Sequence, residues 1–177
     1  ALPKMLRERP NARFILIGED GVSYGSKPDH EKYGGRNWKT IFIDEVKDQI
    51  SPEDWARVHF VGKVPYGIFI KLMQISSAHV YLTYPFVLSW SLLEAMSVGC
   101  AIVASDTQPL HEAITHGETG LLVDFFDHQA LAETVSSLLD NSELREELGR
   151  NAREFAVNSY DLETVCLPKQ LAWVDAL

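Results

Sequence analysis

The stretch SLLEAMSVGCAIVASD, residues 91–106, decides how this chain is read. Its first half reads as a helix over 91–99, and AIVAS (101–105) reads as a buried strand. A helix packed on a buried strand accounts for the apolar residues. Glu94 is the exception, one carboxylate close to the start of a helix built largely of small and apolar residues. Either it merely offsets the helix N-terminus or faces solvent, or it is presented to a polar ligand.

Working outward, short apolar runs recur between helical patterns. ARFILIG (12–18), RVHFVG (57–62), AHVYLTY (78–84) and TGLLVD (119–124) join AIVAS as five strands. Their near-continuous hydrophobicity is what a parallel sheet covered on both faces requires. GIFIKLMQISS (67–77) is a second crossover helix, and two more follow the last strand, with Asp127 and Ser142 at N-cap positions. Strand-helix alternation predicts α/β architecture, a doubly wound Rossmann-like parallel sheet with helices on both faces. Ligands of such sheets bind at the carboxyl ends of the strands. The stretch 19–52 breaks the rhythm as a long insertion-like loop, with one short helix predicted over IFIDEVKDQI. Residues 161–177 form a C-terminal tail helix.

At 177 residues the chain suits a single domain. Its first residues, ALPKMLRERPNARFILIG, read as the end of a helix, a turn at Pro10-Asn11 and a strand, as in a domain truncated on its N-terminal side. A net charge of −9 argues against a nucleic-acid partner, which needs clustered Lys and Arg. Two cysteines without close spacing, Cys100 and Cys166, favour a reducing, cytoplasmic setting over a disulfide framework. No apolar run approaches the ~20 residues that span a bilayer.

Most single motifs fall short. GEDG (18–21) follows a strand but lacks the rest of a GxGxxG turn, so a tight strand exit explains it. HEAITH (111–116) is one residue too long for HExxH. On a helix His111 and His116 would lie about 140° apart, so no shared metal is expected. Ser89 and Ser91 flank Trp90 without a GxSxG elbow. Cys100 at a strand start behaves as a small hydrophobe.

The helix start is richer. Tyr84, Pro85 and Phe86 end a strand, and VLSWS leads into the helix. Amides on Ser89, Trp90, Ser91 and Leu92, free of helical partners, would suit a phosphate together with the helix dipole. About one turn further in, Glu94 can accept hydrogen bonds from a vicinal diol such as a ribose.

VHFVGKV, AHVYLTYP, SLLEAMSVGCAIVASD, HEAITHGETGLLVDFFD and ALAETVSSLL follow one another over about a hundred residues. In that order they resemble the donor-binding, C-terminal half of retaining glycosyltransferases of the GT-B fold, in the glycogen-synthase-like group. ARFILIG fits a strand which that family places earlier. The resemblance implies that Glu94 binds the ribose hydroxyls of a nucleoside diphosphate sugar. Phe86, Val87, Leu88, Ser89 and Trp90, with Ser91, would offer main-chain groups to the diphosphate and sugar. Gly62, Lys63 and Val64 would meet the base, with Gly18 at the neighbouring strand exit, while Glu112 would be structural. It further implies no metal or other cofactor, because helix N-termini and basic side chains take the charge of the diphosphate. The acceptor would be held by an N-terminal domain, where any peripheral membrane association would also reside.

Two departures stand out. Phe86 occupies the place of the family's first carboxylate, and Val87, Leu88 and Ser89 replace its glycine-rich loop. The strand carrying the family's Arg and Lys does not precede Ala1, so no catalytic side chain is assigned and the fragment alone is expected to be inactive. The rival readings are a catalytically silent GT-B-like binding or interaction module and a nucleotide-sugar epimerase. The epimerase needs acid-base residues, and no His or carboxylate pair stands out at the strand ends.

Overall fold

The computed structural model describes residues 1–22, 25–84 and 87–177, so Phe86 lies outside the described residues. The chain forms two compact units, residues 1–66 and 67–177.

In the first unit, α1 (Leu2–Glu8) has a proline in its first turn and buries Pro3, Met5 and Leu6. It is followed by β1 (Phe14–Ile17), α2 (His30–Tyr33), α3 (Trp38–Val46), a 3₁₀ turn (Lys47–Gln49), α4 (Pro52–Trp55) and β2 (Val58–Gly62). The long 19–52 stretch thus carries more helix than IFIDEVKDQI alone. Asn37 starts α3 at Trp38 by accepting the Thr40 amide at 2.8 Å, and Asp29 and Ser51 cap α2 and α4 in the same way. β1 and β2 pair in parallel, in register from Phe14 opposite Val58 to Leu16 opposite Phe60. The register then shifts so that Ile17 faces Gly62.

One expectation needs correcting here. β1 is not a buried strand, since Ile15, Leu16 and Ile17 are all exposed, and neither β2 nor the strand over His79–Tyr81 is buried, with Val61 and Val80 exposed. Burial on both faces requires a covering layer on each and neighbours along the sheet. Among the described residues of this unit, β1 pairs only with β2.

The second unit begins within α5 (Tyr66–Ile75). Then come β3 (His79–Tyr81), α6 (Trp90–Ser97), β4 (Ile102–Ser105), a 3₁₀ helix (Gln108–Glu112) and β5 (Leu121–Val123). Two long helices follow, α7 (His128–Asp140) and α8 (Ser142–Tyr160). The tail is a π-helical turn (Leu162–Cys166) running into α9 (Leu167–Asp175). The ladder runs β3-β4-β5, parallel throughout.

β4, at its centre, is buried along its whole length, as its sequence predicts. Ile102 and Ala104 join Met73 of α5, Leu92 and Met96 of α6, Leu110 and Ala152 of α8 in one apolar cluster. Val103 points to the opposite face, and α7 packs on β4 and β5 with Leu131 and Val135 buried. Each large side chain buried in this way contributes roughly 1.5–3 kcal/mol. Parallel strands with helices on both sides make the α/β architecture expected from the sequence.

Helix caps follow the sequence with one shift. The Asp127 carboxylate accepts the Gln129 and Ala130 amides at 3.1 and 2.8 Å and caps α7. For α8 the cap is Asn141, accepting the Leu144 amide at 3.0 Å, and not Ser142, which is already helical. The amide side chain of Asn141 reaches two residues into the helix from one position earlier.

Candidate functional site

α6 is placed at both ends by specific contacts. Its N-cap is Ser89, in extended conformation, whose hydroxyl accepts the Ser91 amide at 3.3 Å and lies 2.9 Å from the Ser91 hydroxyl. At the other end Gly99, at φ +78°, closes a turn in which its amide donates to Met96 and the Cys100 amide to Ala95. That double bond is the Schellman arrangement, and only glycine adopts the left-handed position without strain. The Arg153 guanidinium of α8 donates to the Ser97 carbonyl and occupies a further open acceptor.

The free-amide expectation needs correcting. The Ser91 amide is taken by Ser89 Oγ, and the Leu92 amide donates to the Ser89 carbonyl at 3.1 Å. The capping serine and the first tight turn satisfy these two from within. The amides of Val87, Leu88, Ser89 and Trp90 make no hydrogen bond to a described residue. The amides without a partner among the described residues therefore begin before the helix and end at its first residue.

Glu94 lies one turn in and is half-buried. Its carboxylate makes no hydrogen bond or ion pair with any described residue. Leu92, Ala95 and Met96, its neighbours on the helix, are buried in the apolar cluster, so α6 is fixed while the carboxylate has no partner among the described residues.

The loop that feeds α6 is anchored at the carboxyl end of β4. Ser105, fully buried, donates its hydroxyl to the Thr83 carbonyl at 2.7 Å and accepts the Thr83 amide at 2.9 Å. Next to Thr83, Tyr84 packs against Phe125 and Phe126 with ring centroids 5.6 Å apart in each case. Tyr84 and Phe126 remain exposed. An aromatic cluster thus stands at the carboxyl ends of β3 and β5. The adjacent phenylalanines after TGLLVD were its one sequence signal; the Ser105 clasp left none, because its partner is 22 residues away.

His111 and Asp106 correct a further expectation. The 3₁₀ helix folds back on the chain leaving β4, so His111 Nε2 lies 2.6 Å from Asp106 Oδ1. A histidine-carboxylate pair does stand at a strand end, on the protein surface. HEAITH itself is not one helix, and His116 Nδ1 instead accepts the Leu122 amide at 3.0 Å. Among the described residues no group of three or more His, Cys, Asp or Glu could hold a metal. Glu112 accepts the Tyr160 hydroxyl at 3.0 Å and ties the 3₁₀ helix to α8. Cys100 donates to the Met73 carbonyl, and burial pushes its thiol up to about 11, which leaves it un-ionised.

Gly18, Gly62, Lys63 and Val64 belong to the first unit. The Gly18 amide donates to the Gly62 carbonyl at 3.0 Å, so that carbonyl is already engaged at the ends of β1 and β2. Gly62, at φ +65°, turns the chain there. Lys63 is largely exposed and sits 3.9 Å from Glu19, a surface pair worth at most about 1 kcal/mol. A shallow open concavity between α8 and the loop before β5, around Asn151 and Phe155, includes none of the expected site residues. Glu94, without a partner among the described residues, lies on α6 and does not line that concavity.

Residues 1–155 match the family described as glycosyl transferases group 1. The chain belongs to this family. Among its relatives, the alpha-D-kanosaminyltransferase of Streptomyces kanamyceticus is 35% identical over 162 residues, covering 92% of this chain and 37% of the relative. In fold, this group 1 chain resembles Anabaena Alr3699/HepE, solved in complex with UDP, at a TM-score of 0.76 and 22% identity. That likeness covers 99% of this chain and 44% of the other. It also resembles the C-terminal domain of a group 1 family protein (LpcC) from Francisella tularensis, at a TM-score of 0.71 and 19% identity, covering 92% and 78%. The chain spans well under half the length of the curated relatives it matches. Among the described residues, no helix is long and apolar enough to cross a membrane.

Proposed function

We propose that this chain is the donor-binding part of a glycosyltransferase, which holds a nucleoside diphosphate sugar whose sugar is passed to an acceptor with retained configuration. Membership of the group 1 family and the likeness to UDP-bound and UDP-glucose-bound Alr3699/HepE support the donor class. The 78% coverage of an isolated C-terminal domain supports the reading as one half of a two-domain enzyme, with the acceptor on the other half.

The observation that carries the proposal is the half-buried Glu94, without a partner among the described residues on an otherwise well-anchored helix. A carboxylate there accepts two hydroxyl donors of a ribose, each a charge-assisted bond. The amides from Val87 to Trp90 and the N-terminal dipole of α6 face the diphosphate and stabilise its charge as it departs. The sequence has Phe86 where the family has a carboxylate. In that reading the sugar is met by aromatic faces, with Tyr84, Phe125 and Phe126 beside the loop.

Glu94→Ala is expected to weaken UDP binding by about 1–3 kcal/mol, five-fold to over a hundred-fold. Calorimetric titration of the folded variant measures it. Unchanged affinity would remove Glu94 from the donor site, and no binding of UDP, ADP or GDP by the parent chain at millimolar concentration would favour a silent interaction module.

A further inference from the structure

The main-chain pairing of β3 with β4 ends at Tyr81 opposite Ala104. Two residues later the chain from β3 is caught again, this time by a side chain. The Ser105 hydroxyl donates to the Thr83 carbonyl at 2.7 Å and accepts from the Thr83 amide at 2.9 Å. On its other edge the strand end is held to β5, with Ser105 in register with Val123 and the Asp106 amide donating to the Val123 carbonyl at 2.6 Å. Ser105 is wholly buried, so its geometry is imposed by the core and not by solvent. Thr83 in turn donates its own hydroxyl to the Tyr84 carbonyl at 3.0 Å. The chain then runs to Ser89, which is fixed by its own hydroxyl contacts at the start of α6. Thr83 is thus held by the Ser105 hydroxyl, and the start of α6 by that of Ser89.

We propose that Ser105 is a positioning residue for donor binding: its buried hydroxyl fixes where Thr83 leaves the sheet, and so where the amides of residues 87–90 are offered to the diphosphate. This rests on the donor-binding reading above. The residue must donate and accept toward one partner at once, at close range. A hydroxyl does both, alanine does neither, and a thiol does both weakly and at longer distance. Without the clasp the Thr83 amide and carbonyl lose their partner at a part-buried position, and the loop start is free to drift. A positional error there is felt at the diphosphate, because charge-assisted bonds to amides depend steeply on distance and angle.

The test is UDP titration of the full chain, parent and Ser105→Ala, with melting temperature recorded alongside. Ser105→Cys, close in volume, serves if the alanine variant does not fold. Both variants are expected to bind UDP at least about ten-fold more weakly per folded molecule, the scale of one lost hydrogen-bonded contact. A variant that melts earlier but binds UDP as the parent does would overturn the positioning role and leave donor binding intact. A parent chain that binds no nucleoside diphosphate would overturn the donor reading and this inference with it.

Discussion

Arg57 shows how much one side chain can organise. It is buried, and its guanidinium donates to the carbonyls of Leu6, Arg9 and Ala12 and pairs with Asp54 at 2.5 Å. Those carbonyls belong to the end of α1 and the turn into β1, so one cation closes the connection from helix to strand. The same guanidinium holds the Asp54 carboxyl below the usual carboxylate range. Arg57→Ala is expected to cost about 3 kcal/mol, roughly one for each carbonyl left without its donor, read as a shift in a denaturation midpoint. At this scale legibility was uneven. Glu94 could be singled out as a candidate because its place in SLLEAMSVGCAIVASD is specific, and Asp127 as a cap because capping is local. Arg57 and Ser105 could not, since each acts on carbonyls or amides brought near by the fold. Their neighbours in sequence carry no trace of it.

Among elements, α6 is the one on which the proposed site depends, and its placement relies on α8. α6 packs on α8 where Gly99 meets Gly149, and a Cβ on Gly149 would overlap the Gly99 carbonyl oxygen. Neither atom belongs to a flexible side chain, so the helices must separate to make room. Gly149→Ala is expected to destabilise the second unit by about 1–3 kcal/mol, the scale of overpacking in a close-packed core, despite the better helix propensity of alanine. Thermal unfolding measures it, and an unchanged or raised midpoint would show that the contact can relax. The elements themselves were readable from apolar periodicity: five strands and the helices on both flanks. What periodicity missed was α2 and the first turn of α3, which rest on the Asp29 and Asn37 caps, and α4, which starts at Pro52 on the Ser51 cap.

For the whole molecule, α/β architecture was legible because parallel strands write long apolar runs. Burial was not, since an apolar run such as ARFILIG records what a strand can pack against and not whether this chain supplies it. Stability should also depend on pH through His79 of β3. Burial lowers its pKa below 6.5, so the unfolded chain takes the proton more readily. Its contribution is whole above the unfolded value and declines as pH falls below about 6.5 toward the folded pKa. Denaturation at pH 8 and pH 5 should show the loss, and His79→Asn should reduce the difference; an equal difference in that variant would place the effect elsewhere. The central claim is that Glu94 grips a ribose. Its most direct measurement is a cycle of four titrations, the parent chain and Glu94→Ala each against UDP and its 2′,3′-dideoxy analogue. The account predicts that the parent prefers UDP by about ten-fold or more and that Glu94→Ala binds both alike. Equal preference for UDP in both proteins would contradict it.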